Sequence, residues 1–494
     1  MKQQGVRLGI IAAAVLLLTV MPLRAVILYG TGDPTANTTA PTGALAGSGW
    51  QYEGAFNGLG GTVIATNYFI TAKHIGGSVG NIFVFNGVNY TTDAAFPDPS
   101  SDLQIWRVAG NFPTHAPVFS SAPGSEVNLG LVVIGRGRQR GSAVTVGDDS
   151  HLGGWLWGSF DDVQRWGTNV VGSIFIDSTY GDLLRAPFNS DAGPNEAHLA
   201  PGDSGGAVFV LNPATNVWEL AGINLAADGP FSASQTGANS FDAAMFDTTG
   251  LFVPGAVGGW VSAPNPSAFY ATEIAVHRGF IEATVMGLSS VVSRKMHGNT
   301  AFDVHLPESG PPGIECRSGG MTNNYQLVFT FANDVSVTNA IISSGAGSVS
   351  TVAVQGNLVT VNLMGVMNAQ TITVTLKNVN DGINISDVEA KMSVLVADTN
   401  ADRSVDSADI TNTKSQSGSA VTESNFRKDI NADGFLDSAD ISLVKSKSGT
   451  GLPSTSVTLS APVGSTSLRT FPLPPTKPRP SAILPRKKSG EQRR

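Results

Sequence analysis

The tightest constraint on this chain is the ten-residue stretch His198-Leu-Ala-Pro-Gly-Asp-Ser-Gly-Gly-Ala207, with Ser204 at its chemical centre. A serine hydroxyl is a weak nucleophile near neutral pH. It needs a base to take its proton and hydrogen-bond donors to hold the oxyanion that its attack creates. Glycine accepts backbone angles that other residues resist, so flanking glycines let successive N–H groups turn toward one point. Gly202 and Ser204 are the two residues whose amides are placed to hold such an oxyanion.

The partners of Ser204 lie upstream. Gly61 to Thr71 sets two apolar, β-branched runs around Thr66-Asn67, a hairpin pattern, and His74 follows the second run directly. Ser101-Asp102 then opens an alternating strand, Leu103 to Val108, so a carboxylate stands at the mouth of a strand. Taken alone, Gly202 to Gly206 also fits the looser G-x-S-x-G elbow of α/β-hydrolases, but those enzymes run Ser, acid, His. Here the order is His, Asp, Ser, and the apolar segments are short strands. Each residue has a plainer reading by itself: a strand-end histidine, a turn aspartate, a tight glycine turn. Together, Thr71-Ala-Lys-His74, Ser101-Asp102-Leu103 and Gly202-Asp-Ser-Gly-Gly206 resemble the three signatures of trypsin/chymotrypsin-like serine peptidases, over roughly residues 45–286.

That resemblance implies two six-stranded β-barrels with the site between them. His74 and Asp102 would come from the first barrel and Ser204 from the second. His74 would serve as general base and then acid, with Asp102 fixing its tautomer. It also implies that His198 forms the floor of the specificity pocket, where it would favour a polar or acidic side chain or else serve as a structural hydrogen-bonder, and that the segment from Asn224 forms one wall. With no Asp at the floor, a preference for Lys or Arg is not expected. In activated members, a new β-branched N-terminus pairs with the Asp before the nucleophile. Val26-Ile27 and Asp203 would play those parts here, although Leu28-Tyr29 departs from the family's usual glycine pair. The other reading leaves Asp203 held by internal hydrogen bonds alone. Two further classes share the motif: an inactive peptidase fold serving adhesion or scaffolding, and an esterase.

The rest of the chain sets the context. At 494 residues it exceeds what one hydrophobic core serves, so several domains are expected. Charged residues make up only 14% and there are 57 glycines, a turn-rich, β-rich balance that excludes a nucleic-acid binder. Cys316 is the one cysteine, so no intrachain disulfide forms. The resemblance makes that a bacterial-type trait. Residues 1–25 carry Lys2 and Arg7, an apolar run and a terminal Ala25, the pattern of a secretory signal peptide. The mature chain is expected to be secreted, with no transmembrane segment after signal cleavage. Residues 271–285 read as a helix, with His277 on its surface, closing a peptidase domain over 26–286.

Residues 289–396 alternate with period two between Asn, Asp and Gly turns, as in a β-sandwich. Then comes an internal repeat: Asp398-Thr-Asn-Ala-Asp402-Arg-Ser-Val-Asp406-Ser-Ala-Asp409 recurs from Asp429 to Asp440. Oxygen ligands at loop positions 1, 3, 5, 9 and 12, with a backbone carbonyl at position 7, suit Ca²⁺. The first loop offers Asp398, Asn400, Asp402, Ser404, Asp406 and Asp409. The second offers Asp429, Asn431, Asp433, Phe435, Asp437 and Asp440. Arg403 stands where the first loop would carry the usual glycine. The duplicated loop–helix pattern over 398–450 resembles a type I dockerin. That likeness implies two Ca²⁺ ions and a cohesin-like partner read through Ser407-Ala408 and Ser438-Ala439. The alternative is structural: strand 391–396 runs into Asp398 without a linker, so the module packs on the sandwich and stabilises it. Residues 451–494 are Pro-rich and end in a basic run, a disordered tail. The expected architecture is mainly β: a chymotrypsin-like double β-barrel, a β-sandwich and a small α-helical dockerin-like calcium module. The expected function is a secreted serine endopeptidase acting on a protein or peptide substrate, with no cofactor for catalysis.

Overall fold

The computed structural model describes residues 26–256, 258–308, 310–453 and 469–470. The expected signal peptide and most of the tail lie outside the described residues. After a short strand β1 (Ile27–Leu28), six strands close into a barrel: β2 (Glu53–Phe56), β3 (Leu59–Ala65), β4 (Tyr68–Ala72), β5 (Ile82–Phe85), β6 (Val88–Pro97) and β7 (Leu103–Val108). Asn57-Gly58 and Asn86-Gly87 make its tight hairpins, all four residues at positive φ, as a turn matching the strand twist requires. The interior is aromatic. Phe56, Phe69, Phe83 and Phe85 are essentially inaccessible, with Phe69 stacked on Phe83 at 4.0 Å. Each such ring contributes about 1.5–3 kcal/mol by burial, which makes this barrel a rigid support for whatever its loops carry.

The second half comprises β8 (Gly130–Gly135), β9 (Arg138–Val146), β10 (His151–Phe160), β11 (Arg165–Val170), β12 (Ser173–Asp177), β13 (Gly181–Pro187), β14 (Ala197–His198), β15 (Ala207–Asn212), β16 (Val217–Ala227), β17 (Ala243–Met245), β18 (Phe252–Pro254), β19 (Trp260–Ser262) and β20 (Ala268–Glu273). Its main sheet runs β11-β8-β15-β16-β20-β13-β12, and the two end strands are consecutive pieces of one run, with only Val171-Gly172 between them. The outer edge of β11 is taken up by another segment: Thr168 N donates to Asn195 O, and Asn169 Nδ2 donates to Ala197 O. That segment leads into β14, which pairs with β1 instead. A long β9–β10 hairpin with β17 forms a separate three-stranded sheet.

The expected helix over 271–285 begins later, as α1 (Ile274–Met286), because Ala271 to Glu273 complete β20 in register with β16. Gly287 ends it in the left-handed conformation. Two sheets follow, one of β21 (Leu288–His297), β22 (Thr300–His305), β24 (Tyr325–Phe331), β26 (Ser348–Gln355) and β27 (Leu358–Met364). The other has β23 (Gly313–Glu315), β25 (Asn339–Ser344), β28 (Gln370–Asn380) and β29 (Ile385–Val394). Phe329 and Val361 of the first and Val374 and Met392 of the second share one buried cluster. That cluster continues through α1 into the first barrel, so the sheets are joined to the amino-terminal part by packed core rather than by a tether.

Past β29 the repeat forms two loops, each leading into a short helix, α2 (Ser407–Lys414) and α3 (Ser438–Lys447). From the expected disordered tail, Arg469–Thr470 form β30, which pairs with Ala227 and Ala226 of β16, beyond the last residue that β15 covers. Among the described residues no helix is long and apolar enough to cross a membrane.

Candidate active site

His74 lies in a single helical turn after β4, Asp102 in the loop before β7, and Ser204 in the loop before β15. The structure brings the three side chains into one line. His74 Nε2 is 2.8 Å from Ser204 Oγ, and His74 Nδ1 is 2.5 Å from Asp102 Oδ2. An ionised carboxylate only accepts, so Nδ1 carries the ring proton and Nε2 is left to accept from the serine hydroxyl. Asp102 Oδ1 also accepts the backbone N–H of His74 at 3.0 Å, which fixes the imidazole at both its ring and its main chain. His74 keeps 17% of its side chain exposed, whereas Asp102 is buried.

The loop around Ser204 is built by backbone geometry. Gly202 holds φ +100° and Gly205 φ +76°. A Cβ on Gly205 would lie 2.2 Å from Thr71 Oγ1 and 2.6 Å from Gly60 O, so only glycine lets this loop close on the first barrel. The N–H groups of Asp203, Gly205 and Gly206 are taken by Ala200 O, Asn224 O and Asp203 O. Among the described residues those of Gly202 and Ser204 are engaged by no acceptor.

Asp203 points away from the site into the core. Gly137 N donates to its Oδ1 at 2.7 Å and Ala200 N to its Oδ2 at 2.8 Å, and the backbone amide of Val26 is a third donor. Burial pushes its carboxyl up to about 7 against these hydrogen bonds. Asp203 is thus held by internal hydrogen bonds. Val26 itself is buried and holds φ +49°, a conformation that β-branched residues resist.

Two expectations about a specificity pocket need correction. His198 is fully buried in β14 and packs edge-on against Phe188 and Phe269. Its Nδ1 donates to Leu199 O at 2.8 Å, and burial pushes its imidazole down to about 4, so it is a neutral core residue with no surface to offer a substrate. Asn224 is equally buried. Its Nδ2 donates to Ile134 O at 2.8 Å and to Asp203 O at 3.1 Å, and its main chain pairs with Gly205 and Gly206. It clamps the nucleophile loop rather than lining a pocket. A polar residue inside the apolar run Leu220–Ala227 was the signal for this role. His277, expected on the helix surface, is also buried, with Nδ1 2.6 Å from Asp98 Oδ2.

The two acidic loops show matching hydrogen bonds. Asp398 accepts from Asp402 N and Arg403 N, and Asp429 accepts from Asp433 N and Gly434 N. Asn400 and Asn431 both donate to the next acid, Asp402 or Asp433, at 2.7 Å. Asp406 and Asp437 cap α2 and α3, while the buried Asp409 and Asp440 accept from the start of their loops. Ser404 and Phe435 donate their amides to Asp402 and Asp433. Burial, together with the nearby charges of Asp409 and Asp402, pushes the Asp398 carboxyl up. An all-oxygen donor set with crowded like charges suits a hard cation. In this arrangement the described residues contain no cluster of three or more His, Cys, Asp or Glu gathered for a metal. Position 6 needs positive φ in both loops: Gly434 has +93°, and Arg403, without glycine's freedom, is held at +77°.

No family model matches the chain, and no curated protein sequence matches it. Among solved structures it is similar to the secreted serine protease VesC from Vibrio cholerae, at 11% identity and a TM-score of 0.29, over 72% of this chain and 71% of that one. It is also similar to the passenger domain of plasmid encoded toxin, an autotransporter enterotoxin from enteroaggregative Escherichia coli. That likeness has 12% identity and a TM-score of 0.27, over 46% of this chain and 22% of the other.

Proposed function

We propose that the chain is a secreted serine endopeptidase. The observation that carries this reading is the continuous line from Asp102 through His74 to Ser204 Oγ, in a loop where the Gly202 and Ser204 amides engage no acceptor. In the proposed reaction His74 Nε2 removes the Ser204 proton as Oγ bonds to a peptide carbonyl carbon. The carbonyl oxygen becomes an oxyanion held by the Gly202 and Ser204 amides. His74 then gives the proton to the leaving amine, and the C–N bond breaks to leave an acyl-serine. A water, deprotonated by His74, releases the acid and restores the hydroxyl. Asp102 holds the tautomer and stabilises the imidazolium throughout. An extended peptide suits the site because the edge of β16 just past Asn224 already accepts an antiparallel strand, Arg469–Thr470. Purified protein is expected to degrade casein, and Ser204→Ala to lose at least about 10³-fold of that activity while remaining folded. Equal rates for the two proteins would refute the reading.

The proposal extends to activation. Cleavage after Ala25 would turn the Val26 amide that faces Asp203 into a cationic amine. It would give the buried carboxylate a counter-charge and release the φ constraint on Val26. Protein beginning at Val26 is therefore expected to be at least about tenfold more active than protein carrying an extra Gly-Ser before it. Equal kcat would leave Asp203 to its internal hydrogen bonds.

For the carboxy-terminal loops we propose two Ca²⁺ ions, held by the oxygens of Asp398 to Asp409 and of Asp429 to Asp440, acting first as a staple on the sandwich. The contacts between module and sheets support this. Arg427 donates to Ile314 O and Asp398 O, Ser318 N donates to Ile430 O, and Phe302 stacks on Phe426. Ser407-Ala408 and Ser438-Ala439 remain exposed, which leaves a surface for a cohesin-like partner as a second role.

A further inference from the structure

We propose that Asp98 and His277 form a second carboxylate–imidazole pair that positions Asp102 against His74, a role that rests on the peptidase reading above. Residues 98–102 are the loop between β6 and β7, and Asp98 is its hub. Its Oδ1 accepts from Ser100 N and Ser100 Oγ, both at 2.9 Å. Its Oδ2 accepts from Ser101 Oγ at 2.7 Å and lies 2.6 Å from His277 Nδ1. Ser101 Oγ in turn accepts from Leu103 N, so hydrogen bonds from this one buried carboxylate bracket Asp102 on both sides in sequence.

The other member of the dyad is tied to the same loop. Lys73, next to His74, donates its ammonium to Asp98 O at 3.0 Å and to Ser101 O at 2.5 Å, and its main-chain N–H to Asp102 O. The loop therefore carries Asp102 and braces the turn that carries His74. From α1 comes a further partner for the Asp98 carboxylate, the His277 imidazole. Burial alone would push the Asp98 carboxyl up, but the hydrogen bond and charge of His277, with the Ser100 and Ser101 donors, hold it below the usual carboxylate range.

His277 is well placed to act across the cleft. Its helix continues directly from β20, which pairs with β16 at Asn224, the residue that clamps the Ser204 loop. The helix also packs on β16 and β29. The Asp98–His277 bond thus joins the element that fixes Ser204 to the loop that fixes Asp102. Misplacement of catalytic groups by about 1 Å costs on the order of 100-fold in rate, so such a tie matters for turnover. The far side of the ring is not spent on packing bonds: His277 Nε2 is buried without a hydrogen-bond partner and lines a cavity of about 300 Å³ with Ser100, Asp182, Glu308, Glu389 and Lys391. Glu273, four residues earlier on the chain, and the Lys73 ammonium at the Asp98 carbonyl also face the pair.

The test compares Asp98→Asn, His277→Asn and His277→Leu with unmodified protein. Three readouts are used: thermal midpoint, kcat and KM for p-nitrophenyl acetate, and the low-field proton resonance of the His74 Nδ1–H. The two Asn variants keep hydrogen-bonding groups in place and are expected to stay folded. Their KM should remain within about twofold, their kcat should fall about tenfold or more, and the His74 resonance should shift or broaden. His277→Leu, which offers no donor, should lose more than His277→Asn; if it does not fold, the Asn variants decide. Folded Asn variants with unchanged kcat and an unchanged resonance would overturn the proposal. Unmodified protein that turns over no ester and does not react with a fluorophosphonate would sink the peptidase reading instead, and the resonance alone would then judge whether the pair positions Asp102.

Discussion

Asp102→Asn is expected to lower kcat by about 10⁴-fold without unfolding the protein. The size of the effect follows from which groups accept and which donate. The carboxylate accepts from His74 Nδ1 at 2.5 Å and from His74 N at 3.0 Å, so the ring proton sits on Nδ1 and Nε2 faces Ser204 as an acceptor. An amide in the same place can turn its NH₂ toward Nδ1. The ring proton then moves to Nε2, which can no longer take the serine proton. The volume is unchanged and the buried cavity stays filled, so the thermal midpoint is expected to hold. A loss smaller than about tenfold would mean that Asp102 does not set the tautomer, and the site would need a different base.

Glu315→Ala is expected to destabilise the sandwich and the paired loops by about 3–5 kcal/mol. Arg317 is a fully buried cation. Glu315 accepts from its Nε at 2.8 Å and its Nη2 at 2.7 Å, while Phe302 O and Ser293 O take further N–H groups. Burial would push the Glu315 carboxyl up, but Arg317 outweighs it and holds the group below its ordinary value. Deleting Glu315 leaves the guanidinium charged, dry and unpaired. Replacing both partners by apolar residues of similar volume should cost far less, because no orphaned charge remains. The consequence reaches the second loop. Arg317 Nη1 donates to His297 Nε2 at 3.1 Å, and His297 Nδ1 donates to Asp429 Oδ2 at 2.8 Å. Calcium is expected to raise the denaturation midpoint of the unmodified protein, with EGTA removing the gain, and Glu315→Ala should weaken that response. A midpoint indifferent to calcium would leave the loops as plain cappers of α2 and α3.

Much of this site is legible in the sequence because its chemistry is local. A glycine-flanked serine, a histidine after a hairpin and an aspartate at a strand mouth are each short-range patterns, and their order along the chain is enough to set aside the α/β-hydrolase elbow. The acidic repeat is legible for the same reason, since its spacing is fixed within twelve residues. What lies out of reach depends on contacts between distant segments. His277 sits on a helix whose apolar spacing gives no sign that Asp98, far upstream, needs a counter-charge. Resemblance places His198 and Asn224 at a pocket, yet aromatic neighbours and backbone carbonyls bury both. Val26 is intermediate: its identity is visible, but its contact with Asp203 depends on the β1–β14 pairing.

Everything in the peptidase reading turns on whether Ser204 is an activated nucleophile. The direct measurement is fluorophosphonate labelling of folded protein beginning at Val26, with the modified residue located by mass spectrometry and Ser204→Ala run beside it. An activated Ser204 gives a single phosphonylated residue at that position and no labelling of the Ala variant. Folded protein that takes no label, or takes it equally in the Ala variant, would contradict the peptidase reading.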